Sequence, residues 1–149
     1  MLHRLLAASF LICMSATAAE HDRFSYAEPA KVTQTALSLD LKVDFDKREL
    51  AGSAELALAW HDPEARELVL DTRDLSIEGV EALDAQGAAH ALKWSLAARD
   101  PVLGSALRIA LDAQAPKVRI RYHTAPQASG LQWMTPAQTA GKKQPFMYS

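Results

Sequence analysis

The sequence contains a single cysteine, Cys13, and no asparagine. One cysteine cannot form a disulfide within the chain, and a chain without asparagine has no acceptor for N-linked glycosylation. Long apolar runs are also absent, since no stretch approaches the ~20 residues that a membrane-spanning helix needs. These absences exclude a disulfide-rich scaffold and an integral membrane protein built from helices.

Histidines at a spacing suited to metal binding are lacking as well. The five histidines include no two that are four residues apart, so the H-E-x-x-H helix of zinc peptidases is missing. The only local cluster of histidine and acids is His61-Asp62-Pro63-Glu64, and Pro63 makes a solvated turn the favoured interpretation. We therefore assign no catalytic, cofactor-binding or metal-ligating residue, and no cofactor, to this chain.

Charge of one sign is not in excess either. The formal net charge is −2 and 49% of the residues are hydrophobic, which is typical of a soluble globular domain. One strand-like stretch carries Lys117, Arg119, Arg121 and His123 at alternate positions. The one aromatic residue of this stretch, Tyr122, has the opposite parity and is predicted to face the core, so a solvated strand face is favoured over a nucleic-acid site, and we predict no nucleic-acid partner.

The first nineteen residues have the pattern of a secretory signal peptide. His3 and Arg4 precede an apolar run from Leu5 to Met14, and small residues follow up to Ala19. We predict cleavage after Ala18 or Ala19 and a periplasmic or secreted product without a membrane anchor. Residues 20–32 are predicted to be a flexible lead-in, and residues 33–149 a single domain.

Alternation of apolar and polar side chains predicts an all-β fold. This period of two is expected of half-buried strands, and turn signals separate the runs. The runs are Leu37–Phe45, Leu50–Trp60, Leu68–Leu70, Leu75–Leu83, Leu92–Leu96, Leu107–Leu111 and Lys117–His123. They predict an antiparallel β-sandwich or saddle-shaped curved sheet of roughly seven short strands, incomplete at the C-terminus, with a β-bulge at Gly79.

The alternation also predicts which large side chains are buried. Leu37, Leu39 and the other apolar residues of the first run should face the core, and Trp60 and Trp94 share the apolar parity of their strands. Trp133 follows the last predicted strand, and the sequence is compatible with two roles for it: packing against the domain or contact with a ligand. It belongs to the stretch from Gly130 to Ser149, whose prolines, glycines and rings predict an irregular packed segment.

That last stretch, GLQWMTPAQTAGKKQPFMYS, resembles a segment of the zinc aminopeptidases related to leukotriene-A(4) hydrolase. Further similarities follow in the family's order along the chain at Val43–Gly52, Leu68–Ile77, Leu103–Leu107 and Val118–Thr124. The resemblance covers essentially the whole chain after about residue 33. It implies the N-terminal, saddle-like β domain of a gluzincin aminopeptidase of the leukotriene-A(4) hydrolase and aminopeptidase N type, truncated before the catalytic domain.

In those enzymes the β domain covers the active site and supplies part of the pocket for the substrate's amino end. A following domain carries H-E-x-x-H, a more distant glutamate ligand, a Gly-x-Met-Glu-Asn loop and a catalytic tyrosine, and none of these motifs occurs in this sequence. The resemblance implies zinc and peptide substrates for the full-length enzyme, and an inactive chain in isolation. No family site residue can be assigned to a position of this chain.

The alternative function is a free-standing periplasmic β-sandwich that binds a ligand through Trp133. For the truncated domain, we expect self-association through an exposed C-terminal segment. Its apolar side chains are Met134, Phe146, Met147 and Tyr148, for which the sequence identifies no partner strand.

Overall fold

The computed structural model describes residues 22–149, and β-strands dominate that range. The strands are β1 (Val32–Asp44), β2 (Glu49–Trp60), β3 (Glu67–Thr72), β4 (Leu75–Leu83), β5 (Ala89–Ala91), β6 (Lys93–Leu96), β7 (Ser105–Ala110), β8 (Lys117–Thr124), β9 (Gln132–Met134) and β10 (Phe146–Tyr148). Two short 3-10 helices, Pro136–Gln138 and Ala140–Lys142, lie between β9 and β10. Within the described range, no helix is long and apolar enough to cross a membrane.

The all-β prediction is confirmed, and each of the seven predicted runs overlaps a strand. The described residues form ten strands in all, because β5, β9 and β10 were not predicted. Each of these three strands has only three residues, too few to show a period of two. The predicted bulge is present, since the pairing of β4 with β8 shifts register between Ile77 and Gly79. The predicted signal peptide lies outside the described residues.

The strands form three antiparallel sheets. The largest has the order β1-β2-β8-β4-β5, the second has the order β3-β7-β6, and β9 and β10 form a separate pair. In the largest sheet the central position belongs to β8, which follows its neighbours β2 and β4 in the sequence.

The hydrophobic core lies between the five-stranded and the three-stranded sheets. Leu107 and Ile109 of β7 and Val118 of β8 are fully buried. Burying side chains of this size stabilises the fold by about 1.5–3 kcal/mol each. The same cluster includes Leu56, Leu68, Val80, Leu111 and Ile120. Both sheets contribute to one core, which is the arrangement of a β-sandwich.

The predicted burial of the β1 apolar face is wrong. Leu37 is 52% exposed and Leu39 is 54% exposed, and Val43 is exposed too. β1 lies at the edge of a five-stranded sheet, and the opposing sheet has only three strands. Within β1 only Val32, at its start, is buried, so most of the apolar face of this strand lies outside the core.

The two tryptophans that lie on strands differ in burial, because only one of them packs against the core. Trp60 of β2 packs against the core, as predicted, and its indole Nε1 donates a hydrogen bond of 2.8 Å to the carbonyl oxygen of Ala115. Trp94 was also predicted to be buried, but it is 37% exposed. It lies on β6, the edge strand of the three-stranded sheet, where no further strand of the described range covers it.

An apolar cavity of about 480 Å³ opens beside the exposed part of β1. Its walls include Leu37 and Leu39 of β1, Leu70 of β3, Ile77 of β4 and Tyr122 of β8. Partial burial raises the pKa of the Tyr122 phenol, because removal from water disfavours the phenolate.

The loop between β6 and β7 approaches the turn between β3 and β4 very closely. Asp100 holds this loop, since its Oδ1 accepts hydrogen bonds from the amides of Val102 and Leu103, and these donors lower the pKa of the Asp100 carboxyl. Gly104 follows with φ of 79°, and a Cβ atom added to it would lie 2.2 Å from the carbonyl oxygen of Thr72. Only glycine fits at this contact.

We predict that Gly104→Ala destabilises the protein more than Gly87→Ala. Gly87 has φ of 84°, and an added Cβ would meet nothing within 4 Å, so alanine there meets only the left-handed backbone penalty of about 1–2 kcal/mol. Gly104→Ala adds a steric clash with Thr72, which costs a further ~1–3 kcal/mol. Urea unfolding of both variants measures the difference, and equal losses of stability would contradict the close contact.

A second prediction concerns alkaline pH. The pKa of Tyr122 is raised in the folded state, so the stability that its neutral form contributes is fully present below the unfolded pKa near ~10. That stability is lost as the pH rises from this value through the higher folded pKa. Tyr122→Phe should therefore lose less thermal stability than the parent between pH ~9 and ~11, the window around the ordinary tyrosine pKa. Thermal unfolding of both proteins across this pH range measures the difference, and parallel losses would contradict the prediction.

Candidate functional site

The terminal segment from Gly130 to Ser149 forms an ordered unit in which β9 pairs with β10. Met134 lies opposite Phe146, Trp133 opposite Met147 and Gln132 opposite Tyr148, whose hydroxyl donates a 2.8 Å hydrogen bond to Gln132 Oε1. The expectation that these apolar residues lack a partner strand is wrong, because the segment folds back on itself. Phe146 and Tyr148 nevertheless remain exposed.

The turn between β9 and β10 is fixed by side-chain hydrogen bonds. Gln138 Oε1 accepts hydrogen bonds from the amide of Thr135 at 2.9 Å and from its hydroxyl at 3.0 Å. The hydroxyl of Thr139 donates to the carbonyl oxygens of Pro136 and Gln144. Pro136 stands at the first position of the 3-10 helix, where its missing N–H is not needed. The Thr-Pro-x-Gln sequence thus produces the predicted irregular, packed segment.

Trp133 connects this segment to the turn between β1 and β2. Its ring packs edge-on against Phe45, with ring centroids 5.9 Å apart and an interplanar angle of 88°. Both rings line a cavity of about 280 Å³. Its other walls are Asp46, Arg48, Met134, Thr135, Pro136 and Pro145. Trp133 is half-buried by these contacts, which is a packing role and not that of a fully exposed stacking platform.

The indole N–H of Trp133 is a buried polar group. Its Nε1 is buried and has no hydrogen-bond partner among the described residues. A buried donor without a partner costs about 1–3 kcal/mol, so the Trp133 environment favours a group that can accept this hydrogen bond.

The turn that carries Phe45 is itself well anchored. Asp44 Oδ1 accepts a 3.0 Å hydrogen bond from the amide of Lys47, and this donor lowers the pKa of the Asp44 carboxyl. Arg48 completes the turn with φ of 53°. Sequence reasoning missed the contact between Phe45 and Trp133. The available signal was that Phe45 continues the apolar alternation of β1 into the turn.

The outer face of β8 carries the predicted row of cations, and three of them have acidic partners. Arg119 Nε donates to Glu55 Oε1 of β2 at 2.8 Å, and Arg121 Nη1 lies 2.7 Å from Glu81 of β4. His123 Nδ1 lies 2.8 Å from Glu78 Oε1. Cross-strand pairs of this kind contribute about 0.2–1 kcal/mol each. They bring opposite charges together across β2, β8 and β4, so this face is not an unpaired cationic stripe.

The cluster of His61 and acids forms a turn, as predicted. His61 Nε2 lies 2.9 Å from Thr33 Oγ1, and Asp62 Oδ1 accepts a 2.8 Å hydrogen bond from the amide of Glu64. Between residues 22 and 149 there is no group of three or more His, Cys, Asp or Glu side chains that could hold a metal ion.

Comparison with known proteins identifies relatives of this fold. No protein-family model matches the chain. Leucine aminopeptidase 2 of Pyricularia oryzae is 36% identical over 116 residues, which covers 74% of this chain and 18% of that protein. Leukotriene A-4 hydrolase of Xenopus laevis is 35% identical over 138 residues, which covers 86% of this chain and 21% of that protein.

The solved structures give the same result. A structure of yeast LTA4 hydrolase in complex with bestatin superposes with a TM-score of 0.75 and 25% sequence identity. The superposition covers 89% of this chain and 20% of the hydrolase chain. The chain therefore spans about a fifth of the length of the relatives it matches.

The match in sequence and in fold falls on a small N-terminal part of these proteins, which agrees with the all-β architecture. The chain belongs to the zinc aminopeptidase family that includes leukotriene A-4 hydrolase and leucine aminopeptidase 2, and it corresponds to the non-catalytic N-terminal β domain of that family.

Proposed function

We propose that this chain acts as the N-terminal β domain of an exported zinc aminopeptidase that removes N-terminal residues from peptides. The observation that carries the proposal is the 35% identity to Xenopus laevis leukotriene A-4 hydrolase over 138 residues. The described residues supply the fold of the domain, and the peptide substrates would be hydrolysed elsewhere in the enzyme.

The structure supports a role for this domain as a rigid surface that helps to position a substrate. The terminal segment is held to the β1–β2 turn by the Trp133 and Phe45 contact, and Thr135 and Gln138 fix its own turn. Groups that position a substrate must be held within a fraction of an ångström, and a segment anchored at both places meets that need. A surface of this kind can form part of the pocket for the amino end of a peptide.

Zinc does not fit the described residues of this chain. A catalytic zinc requires three protein ligands and an open position, and residues 22–149 offer no group of three suitable side chains. In our proposal the zinc, and the water that it activates, belong to residues outside this chain. No catalytic step involves the residues described.

Export forms part of the same proposal. The cationic start, the apolar run Leu5–Met14 and the small residues up to Ala19 support targeting to the periplasm or the medium. The peptides available there would then be the substrates of the enzyme.

We predict that a chimera of Xenopus laevis leukotriene A-4 hydrolase is an active aminopeptidase when residues 22–149 of this chain replace the matching segment. The transplanted β domain should support the catalytic part because the two proteins share sequence and fold. Release of product from an aminoacyl-anilide measures the activity. The 149-residue chain alone should release none and should hold no stoichiometric zinc.

The control for the chimera carries Leu107→Asp, which places a charge in the fully buried core and should abolish folding and activity together. Misplacing catalytic groups by 1 Å can cost ~100-fold in rate. A folded chimera with a larger loss would contradict the proposal and favour the free-standing binding module.

We also predict that expression in a bacterium with a secretory pathway yields a product that begins at Ala19 or Glu20. The small side chains around these bonds suit signal peptidase. Mass spectrometry of the exported protein gives the N-terminus, and an exported product that retains Met1 would contradict the assignment. Replacing both Ala18 and Ala19 by Leu should block the cleavage, because a large residue then precedes either bond.

A further inference from the structure

The outer edge of β1 is a long strand edge without a partner among the described strands. β1 has 13 residues and stands at one end of the five-stranded sheet, where it pairs with β2 alone in the part of the chain that the structure describes. An open edge of this length presents a row of N–H and C=O groups that another strand can pair with.

The direction of these groups follows from the neighbouring strand. The amide of Leu50 in β2 donates a 3.0 Å hydrogen bond to Thr124 Oγ1 of β8, so Leu50 points its backbone groups away from β1. Leu50 lies opposite Val43. In an antiparallel ladder such a pair is a non-hydrogen-bonded one, and Val43 therefore points its own N–H and C=O outward.

Alternation along the strand extends this result to Leu39 and Leu41. These residues also point their backbone groups outward, whereas Asp40 and Lys42 pair inward with Ser53 and Ala51. The side chains alternate with the same period, so the outward-pointing residues share the apolar face of β1. Leu39 and Val43 on that face are exposed.

The opposite face of β1 carries Asp40, Lys42 and Asp44, and of these Asp44 forms an ion pair with Lys47 in the following turn. Asp40 and Lys42 are exposed, and neither forms an ion pair within the part of the chain that the structure describes. Their spacing places one residue, Leu41, between them.

We propose that two copies of this chain associate by antiparallel pairing of their β1 edges about a two-fold axis at Leu41. In this register Leu41 lies opposite its own copy, and Asp40 lies opposite Lys42 of the second copy. The two-fold axis repeats that ion pair, and it also places Leu39 opposite Val43 twice. The two five-stranded sheets would then form one continuous sheet.

Neighbouring registers are worse for reasons of charge and geometry. An axis at Val43 sets Lys42 opposite Asp44, which already pairs with Lys47, and sets Asp40 opposite Asp46, which opposes like charges. An axis at Asp40 or at Lys42 sets that residue against its own copy, which opposes like charges. An axis at Ser38 or Leu39 leaves both charges opposite uncharged residues. An axis between two residues sets outward-pointing residues against inward-pointing ones, so the hydrogen bonds cannot form.

The contact rests on residues of β1 alone and requires neither zinc nor a peptide substrate. If the two copies do not associate, the family assignment and the proposed function still stand. If the chimera is inactive, the proposed contact between β1 edges is not affected.

The test is a charge-swap series on the 149-residue chain, measured by sedimentation over a range of concentrations. The parent should show a concentration-dependent dimer. Lys42→Asp and Asp40→Lys should each weaken it about fivefold or more, because each opposes like charges across the axis. The double variant Asp40→Lys with Lys42→Asp restores both ion pairs and should restore the dimer. Lys93→Asp, the same change on the edge strand β6, is the matched control and should have no effect.

A second measurement tests the register. In a Cys13→Ser background, Leu41→Cys places two thiols at the axis, about 5.5 Å apart between Cα atoms, and oxidation should join the copies. Leu37→Cys, four residues away from the axis on each copy, should not cross-link, since each residue adds ~3.4 Å. A parent that stays monomeric, a double variant that is not rescued, equal weakening by Lys93→Asp, or equal cross-linking at positions 37 and 41 would each overturn the proposal.

Discussion

Burial of one apolar face between two sheets of unequal width is the constraint on which the structure depends. Strands lie ~4.8 Å apart, so a five-stranded sheet is wider than the three-stranded sheet that covers it. The fully buried residues Leu107, Ile109 and Val118 lie where the two sheets overlap. Strands at the edges of the sheets keep an apolar face, but the opposing sheet covers less of it.

This constraint explains which sequence predictions were correct. The period of two located all seven longer strands, because it reports that alternate side chains share a face. It does not report whether another sheet lies over that face. Leu39 and Trp94 have the correct parity for the core, yet both are on edge strands and remain exposed. Burial at these positions depends on sheet order, which local patterning leaves open.

The terminal segment shows a different limit. Its prolines and glycines predicted irregular structure, and the Thr135 and Gln138 bonds account for that structure locally. The contact of Trp133 with Phe45 joins residues far apart in the sequence, and no local pattern indicates it. The three-residue strands β9 and β10 were missed because pairing with each other defines them. The family was predictable because several ordered motifs matched together, and the relatives found by sequence and by structure confirm it.

The place of β8 in the largest sheet has a consequence for how the chain folds. β8 separates β2 from β4, although both precede it in the sequence. During synthesis, β2 and β4 must leave the ribosome without their common neighbour, and the sheet cannot close until Thr124 has emerged. Closing such long loops costs entropy before any contact compensates for it, so folding should be slow. A nascent chain of this protein therefore exposes open strand edges, which are sites of association, until its central strand arrives.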